Sequence, residues 1–231
     1  LDSGGSAIEA AVEACVVLED DPVFNAGTGS VFRTDGSVHL DASIQTSEGK
    51  MGFVIAMQDT PNPIRVAADL LDEEINGLTG DGARLWADSK GFEKSIVQGR
   101  PPFEGATDTV GVVARDNSGL IVCATSTGGT SNRPPGRVGD VPLPGCGFWV
   151  QDGVGVGATG IGEAITRGMI SLRVADRILD GNDLEESMMW ALDECLESGA
   201  EVGIIALGAE GTGHGVSNST NMPWASWIAR K

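Results

Sequence analysis

Apolar residues first recur at helical spacing. Ile8, Ala11, Val12, Cys15 and Val16 fall on one side of a 3.6-residue repeat. Ser6 and Glu9 form an S-x-x-E capping box, which places the start of this helix near Ser6. The acidic group Glu19, Asp20, Asp21 and then Pro22 end it. Phe24-Asn25-Ala26-Gly27-Thr28-Gly29 is rich in turn formers. Residues 31–34 and 37–40 flank Asp35-Gly36, a pattern that predicts a hairpin with a two-residue turn. Residues 51–57 read as a buried strand, and Pro63 opens a short helix over 63–71.

The stretch 72–108 is rich in Gly, Asp, Glu, Lys and Pro and reads as an exposed linker with one short helix over 83–88. The texture then changes. Residues 110–114 and 120–125 are β-rich around Asp116-Asn117-Ser118-Gly119 and predict a central hairpin. A Gly/Pro-rich loop covers 128–147, and 154–158 reads as a short strand. Ile165, Met169, Leu172, Ala175 and Ile178 predict a helix over 162–179, stopped by Gly181. A second begins at Asp183, with Glu186 completing its cap, and carries Met188, Leu192 and Cys195. Residues 201–207 predict a strong strand and 216–228 another. Strands and helices come in groups, which predicts an α+β fold of antiparallel sheets covered by helices.

Composition narrows the function classes. With 231 residues, 41% of them hydrophobic, the chain can form one sizeable core, or two halves sharing one, and it reads as a single domain over 1–231. No run approaches the ~18 apolar residues of a membrane helix, and no secretory signal is visible. The chain opens on Leu1, so it reads as truncated or processed. A net charge of −18 disfavours nucleic acid and anionic lipid as partners. Cys15, Cys123, Cys146 and Cys195 form no C-x-x-C pair, which predicts buried free thiols and a cytoplasmic, reducing setting. His39 and His214 leave little material for a Ser-His-Asp triad or a His-rich metal site.

Chemistry concentrates after the linker. Thr109 stands where the linker meets a buried strand. A threonine hydroxyl needs an adjacent base, and a threonine that begins a chain has one in its own α-amino group, which titrates near ~8. The bland alternative is a β-former at a strand start. Thr127, in Ser126-Thr127-Gly128-Gly129, ends the partner strand and is placed to hydrogen-bond Thr109; otherwise it belongs to a Gly-rich turn. Arg137 and Asp140 suit a zwitterionic amino-acid group, the guanidinium for a carboxylate and the carboxylate for an ammonium; otherwise they are a surface ion pair. Thr159 and Gly160 sit at a strand-to-helix junction where a hydroxyl or an N–H can stabilise an oxyanion. Gly155, Gly157 and Gly160 also match G-x-G-x-x-G, which keeps a dinucleotide-binding oxidoreductase as a competitor.

Taken in order, Glu19-Asp-Asp-Pro-Val-Phe-Asn-Ala-Gly27, Asp41-Ala-Ser43, Asp108-Thr-Val-Gly111, Thr125-Ser-Thr-Gly-Gly129, Gly136-Arg-Val-Gly-Asp140, Pro142-Leu-Pro-Gly145 and Ala158-Thr-Gly160 resemble the plant-type asparaginase and isoaspartyl peptidase family, which includes aspartylglucosaminidases. The resemblance implies the four-layer αββα N-terminal nucleophile fold, with two stacked, mainly antiparallel sheets. It implies autocleavage between Asp108 and Thr109, giving an α chain (1–108) and a β chain (109–231). It makes Thr109 the nucleophile and Thr127 its hydrogen-bond partner. Arg137 then binds the substrate α-carboxylate, Asp140 the α-amino group, and Thr159 with Gly160 the oxyanion. Asn25 lies near the nucleophile. The loop of Leu18, Glu19, Asp21, Phe24, Ala26 and Thr28 resembles one that holds a structural sodium ion in some members. No other cofactor is implied. The expected activity is hydrolysis of asparagine or β-aspartyl peptides to aspartate, with aspartylglucosaminidase activity as the alternative and a dimer of αβ units as the assembly. The chain departs from the pattern in lacking a family-type opening strand ahead of the first helix, in Cys146, and in Arg133-Pro134-Pro135. A folded but inactive relative is therefore a third reading.

Overall fold

A computed structural model describes residues 4–101, 109–219 and 222–228. Helix α1 (Ala7–Asp20) begins as the capping box requires: the Ser6 side chain accepts the Glu9 N–H and the Glu9 carboxylate accepts the Ser6 N–H. The first sheet follows, from β1 (Leu40–Thr46), β2 (Met51–Met57), β3 (Gly77–Thr79), β4 (Val110–Arg115) and β5 (Ile121–Thr127), in the order β3-β2-β1-β5-β4. The second holds β6 (Phe148–Gln151), β7 (Val154–Gly160), β8 (Val202–Gly208) and β9 (Gly213–Ser217) in sequence order. Every pairing is antiparallel except β2 with β3.

Helices α1, α2 (Pro63–Asp69) and α3 (Gly80–Lys90) pack on the first sheet, where Ala11, Cys15, Ile64 and Leu70 meet Ala42, Ile44, Val54 and Ala124. Helices α5 (Ile170–Leu179) and α6 (Leu184–Glu194) pack on the second, where Ile170, Val174 and Met188 meet Val154, Val156 and Ile204. The remaining faces of the two sheets meet each other through Ile121, Cys123, Phe148 and Val150. Burying Phe148 completely in that seam contributes ~2–3 kcal/mol.

The seam is not apolar throughout. Ser43 Oγ lies 2.6 Å from Thr125 Oγ1 and donates to the Val141 carbonyl at 2.7 Å. Gln45 exchanges two hydrogen bonds with the Val150 backbone. Gly155 and Gly157 face this seam from inside β7. A Cβ on Gly155 would lie 2.7 Å from Val113 Cγ1 and 2.8 Å from Ile121 Cγ2, and one on Gly157 3.3 Å from Cys123 Sγ. These glycines let two sheets approach. They do not form a phosphate-binding turn, because they lie in the middle of an antiparallel strand, so the dinucleotide reading falls.

Other expectations are also corrected. Residues 31–40 form a turn, with Arg33 N–H donating to the Ser37 carbonyl, but no paired strands; Val31 bridges instead to Arg100, and the pairing strand is β1. The stretch from 72 to 101 is not a bare linker: β3 adds to the edge of β2, and α3 buries Ala83 and Ala87. Residues 102–108, including Asp108 of the expected cleavage position, lie outside the described residues. The hairpin of β4 and β5 is lateral, not central, with β4 outermost. The helix over 162–179 is broken into α4 (Gly162–Gly168) and α5 by Met169 at φ 46°, where a Cβ on Gly168 would lie 2.7 Å from the Cys195 carbonyl. Strand β6 was not legible, and residues 222–228 form no strand.

Candidate active site

Four segments meet at one end of the sheets. β4 begins there, directly after the half-buried Thr109, and β5 ends there at the buried Thr127. Val110 pairs with Ser126, so the antiparallel register sets Thr109 opposite Thr127. The Thr127 hydroxyl accepts the Gly129 N–H at 2.9 Å.

Asn25 lies buried under that turn. Its Nδ2 donates to the Gly129 carbonyl at 2.7 Å, its Oδ1 accepts the Val31 N–H at 3.0 Å, and its carbonyl accepts the Gly128 N–H at 2.7 Å. Gly129 has φ +72°, and a Cβ there would lie 2.6 Å from the Arg33 guanidinium. Arg33 is almost fully buried and donates to the carbonyls of Thr130 and His39. Burial pushes its pKa down, against the opposing pull of Asp41.

The second sheet supplies the next pair. Gly155 faces Val113 and Ile121; two residues on, Gly157 faces Cys123 and Thr125. The same progression carries Thr159 toward Thr127 and the start of β4. Gly160 has φ +130°, and a Cβ there would collide with the Glu201 carbonyl.

Arg137 and Asp140 stand against the start of α4. A Cβ on Gly162 would lie 2.7 Å from Asp140 Oδ1 and 2.9 Å from Arg137 Nη2. Their loop is anchored beside β6, because the Asp140 carbonyl accepts the Gly147 N–H. Arg137 does not form the surface pair with Asp140 that its spacing allows. Its side chain is 10% exposed and binds Glu163 through Nε at 3.1 Å and Nη2 at 2.9 Å. That contact holds the Glu163 carboxyl below the usual carboxylate range. Burial raises Asp140 to about 7, with Asp41 and Glu163 adding repulsion and Arg137 opposing it. Asp140 Oδ2 has no hydrogen-bond partner among the described residues. Asp41, also buried, is raised to about 6; its Oδ1 accepts the Ala56 N–H.

Behind β5, Glu19 is fully buried. It accepts from Ser126 Oγ at 2.6 Å and from the Ile64 N–H at 3.2 Å, and burial raises it to about 8. The unfolded chain releases this proton near 4.5, the fold only near 8. Below 4.5 both states are protonated and the contact is fully stabilising. Between the two values only the unfolded chain ionises, which favours unfolding by about 1.4 kcal/mol for each pH unit climbed. The loss is complete once pH has risen through 8. Glu19→Gln is therefore expected to melt at a higher temperature than the unmodified protein at pH 8 and to show no such advantage at pH 4. Parallel thermal denaturation at the two pH values checks this.

Glu163, Arg33 and Asp41 were not foreseen as parts of this cluster, and Glu19 was expected only in the ion-binding loop, not as a buried partner of Ser126. For Asp41 a signal existed: Asp41, Ser43 and Gln45 alternate with Ala42 and Ile44 along one strand. Glu163 and Arg33 carry no such pattern. Two open hollows of the described surface, one lined by Leu192, Gly199 and Asn218 and one by Gly36, Gln58 and Ile96, share no residue with the cluster. Among the described residues no helix is long and apolar enough to cross a membrane, and no group of three or more His, Cys, Asp or Glu is arranged to hold a metal.

Leu18 and Glu19 occupy the last turn of α1, and Asp21, Phe24, Ala26 and Thr28 curl after it. The carbonyls of Glu19 and Phe24 press so close to Gly27 and Gly29 that a Cβ on either glycine would collide with them. Backbone carbonyl oxygens are hard, neutral donors of the kind that hard cations take.

Comparison with known proteins matches this chain to one family. The Asparaginase_2 family model, described as asparaginase, matches residues 1–98 and 93–231. A plant-type L-asparaginase of Pyrobaculum calidifontis is 37% identical over 216 residues, 82% of this chain and 72% of the relative. An isoaspartyl peptidase/L-asparaginase of Bos taurus is 36% identical over 250 residues, 98% of this chain and 81% of the relative. One of Synechocystis is 33% identical over 238 residues, 91% and 72% of the two chains. With two sheets, their helices and these matches along nearly its whole length, the chain belongs to the Asparaginase_2 family.

Proposed function

We propose that this chain is a hydrolase that releases aspartate from asparagine or β-aspartyl peptides, with Thr109 as nucleophile after self-cleavage behind Asp108. The names of its relatives support the substrate class. The observation that carries the reading is the register that brings Thr109 opposite Thr127 at the sheet end where Arg137 and Asp140 also gather. The stacking of helices, sheet, sheet and helices supports the four-layer N-terminal nucleophile architecture.

In this reading the free Thr109 amine takes the hydroxyl proton as Oγ1 attacks the side-chain amide carbon. Thr127 orients the nucleophile, and Thr159 with Gly160 holds the developing oxyanion. Ammonia or an amine leaves with the proton, and water releases aspartate from the acyl-enzyme. Arg137 holds the α-carboxylate, taking it up beside or in place of Glu163. Asp140 holds the α-ammonium with its unpartnered oxygen. Asn25 and Arg33 fix the turn behind the nucleophile. A sodium ion bound by backbone oxygens of Leu18, Glu19, Asp21, Phe24, Ala26 and Thr28 would supply charge that stiffens the loop carrying Asn25. We place the αβ unit in a dimer and in the cytoplasm, where the free cysteines stay reduced.

Aspartate release from asparagine and β-aspartyl peptides, together with N-terminal sequencing of the active material, tests the proposal. A second chain beginning at Thr109 is expected; active material with an intact 108–109 bond overturns it. Ammonium recognition also sets a pH dependence. Asp140 must be ionised, so with a value of about 7 its charge is lost as pH falls. KM for asparagine is expected to rise up to tenfold per pH unit below 7, and Asp140→Asn should have a high KM at every pH. A pH series of initial rates for both proteins checks this.

A further inference from the structure

Met222 and Trp224 lie against the second sheet. A Cβ on Gly203 would fall on the Met222 sulfur, so the thioether sits directly against β8 at this glycine. Trp224 packs in the same way on β9, where a Cβ on Gly215 would lie 2.6 Å from its ring. Alternation along β8 sends Val202, Ile204 and Ala206 to the helices, and Gly203, Ile205 and Leu207 to the seam between the sheets. Met222 therefore lies on the seam side. Gly203 is the cross-strand partner of Thr159, so the thioether and the Thr159 side chain share one face.

The nucleophile end of β4 points to the same place. A Cβ on Gly111 would lie 3.6 Å from Ile205 Cδ1. Two residues back along β4 is Thr109, and two residues back along β8 is Gly203. Around Thr159 the second sheet thus offers two unlike sides. On the β6 side stand Arg137 and Asp140, anchored through Gly147. On the β8 side stands Met222.

We infer that Met222 is the specificity-determining wall for the leaving group, and that it favours β-aspartyl peptides whose second residue is apolar. This rests on the function proposed above. With the aspartyl half gripped on the β6 side and attack at Thr109, the departing amine faces the β8 side, where it meets a polarisable, uncharged thioether. An apolar side chain gains contact there, whereas a sugar or a charged side chain loses water without a partner.

The test compares kcat/KM for β-aspartyl-leucine, β-aspartyl-lysine, β-aspartyl-glutamate and asparagine in the unmodified full chain and in Met222→Leu, Met222→Ala and Met222→Lys. Melting temperatures identify any variant that is not folded. The unmodified protein is expected to prefer the leucine peptide over the two charged ones, and Met222→Leu to keep that preference. Met222→Ala should lower the ratio of leucine peptide to asparagine at least tenfold, chiefly through KM. Met222→Lys should turn the preference toward the glutamate peptide. If the unmodified protein hydrolyses these substrates and the ratios among them are the same in folded Met222 variants, the inference is overturned alone. If it releases no aspartate from any of the four, the hydrolase reading falls and this inference with it.

Discussion

Thr109→Ala is expected to leave the chain as a single uncut band and to lower kcat at least ~10³-fold, with no comparable loss of melting temperature. The magnitude follows from the roles given to one residue. In the proposed mechanism its hydroxyl is the attacking group and its amine the proton acceptor, so no other group substitutes when the side chain is removed. The fold has little reason to suffer: Thr109 precedes β4, and the β4–β5 ladder that starts at Val110 and Ser126 needs only backbone there. Thr109→Ser keeps a hydroxyl and should retain measurable self-cleavage. A denaturing gel and aspartate release from asparagine decide the matter. An alanine variant that still cuts itself and still turns over would remove Thr109 from the mechanism.

Arg137→Ala should cost about 10²–10³ in kcat/KM, mostly as a higher KM. Charge-assisted hydrogen bonds to a carboxylate contribute ~1.5–3 kcal/mol each, and a guanidinium makes two. The variant also leaves Glu163 without its partner and deprives the buried Asp140 of a neighbouring positive charge. Arg137→Lys should recover only part of the loss, because an ammonium cannot match the fork that now grips Glu163 through Nε and Nη2. Glu163→Gln separates the two roles: it removes the competing carboxylate while leaving the guanidinium. Initial rates over a range of asparagine concentrations in the three variants check the assignment. Equal loss for lysine and alanine would still fit a fork, whereas full activity of Arg137→Ala would exclude a carboxylate-binding role.

Much of the secondary structure was legible because local signals carried it. The Ser6 capping box, the Asp183 cap, the turn at Asp116 and the apolar runs of β2 and β8 each depend on neighbours within a few residues. Failures came where distant contacts overrode local pattern. Asp35-Gly36 makes its turn, but the strand pairing goes to residues beyond it, because β1 is claimed by β2 and β5. The helix over 162–179 breaks at Met169 because Gly168 packs against the Cys195 carbonyl. Gly155-x-Gly157 looked like a nucleotide loop until the opposite sheet occupied the space that a Cβ would need.

The order of segments in the chain was sufficient to identify the family and to single out Thr109, Thr127, Arg137, Asp140, Thr159, Gly160 and Asn25 as the candidates on which the proposed mechanism rests, since residue type and spacing survive in one dimension. What surrounds those residues was decided only in three. Glu163 in the Arg137 fork, Arg33 under Gly129, the proton held on Glu19 behind Ser126, and Met222 against Gly203 all join positions far apart in sequence. Burial and charge proximity depend on distance through space, and that distance is set when the two sheets stack.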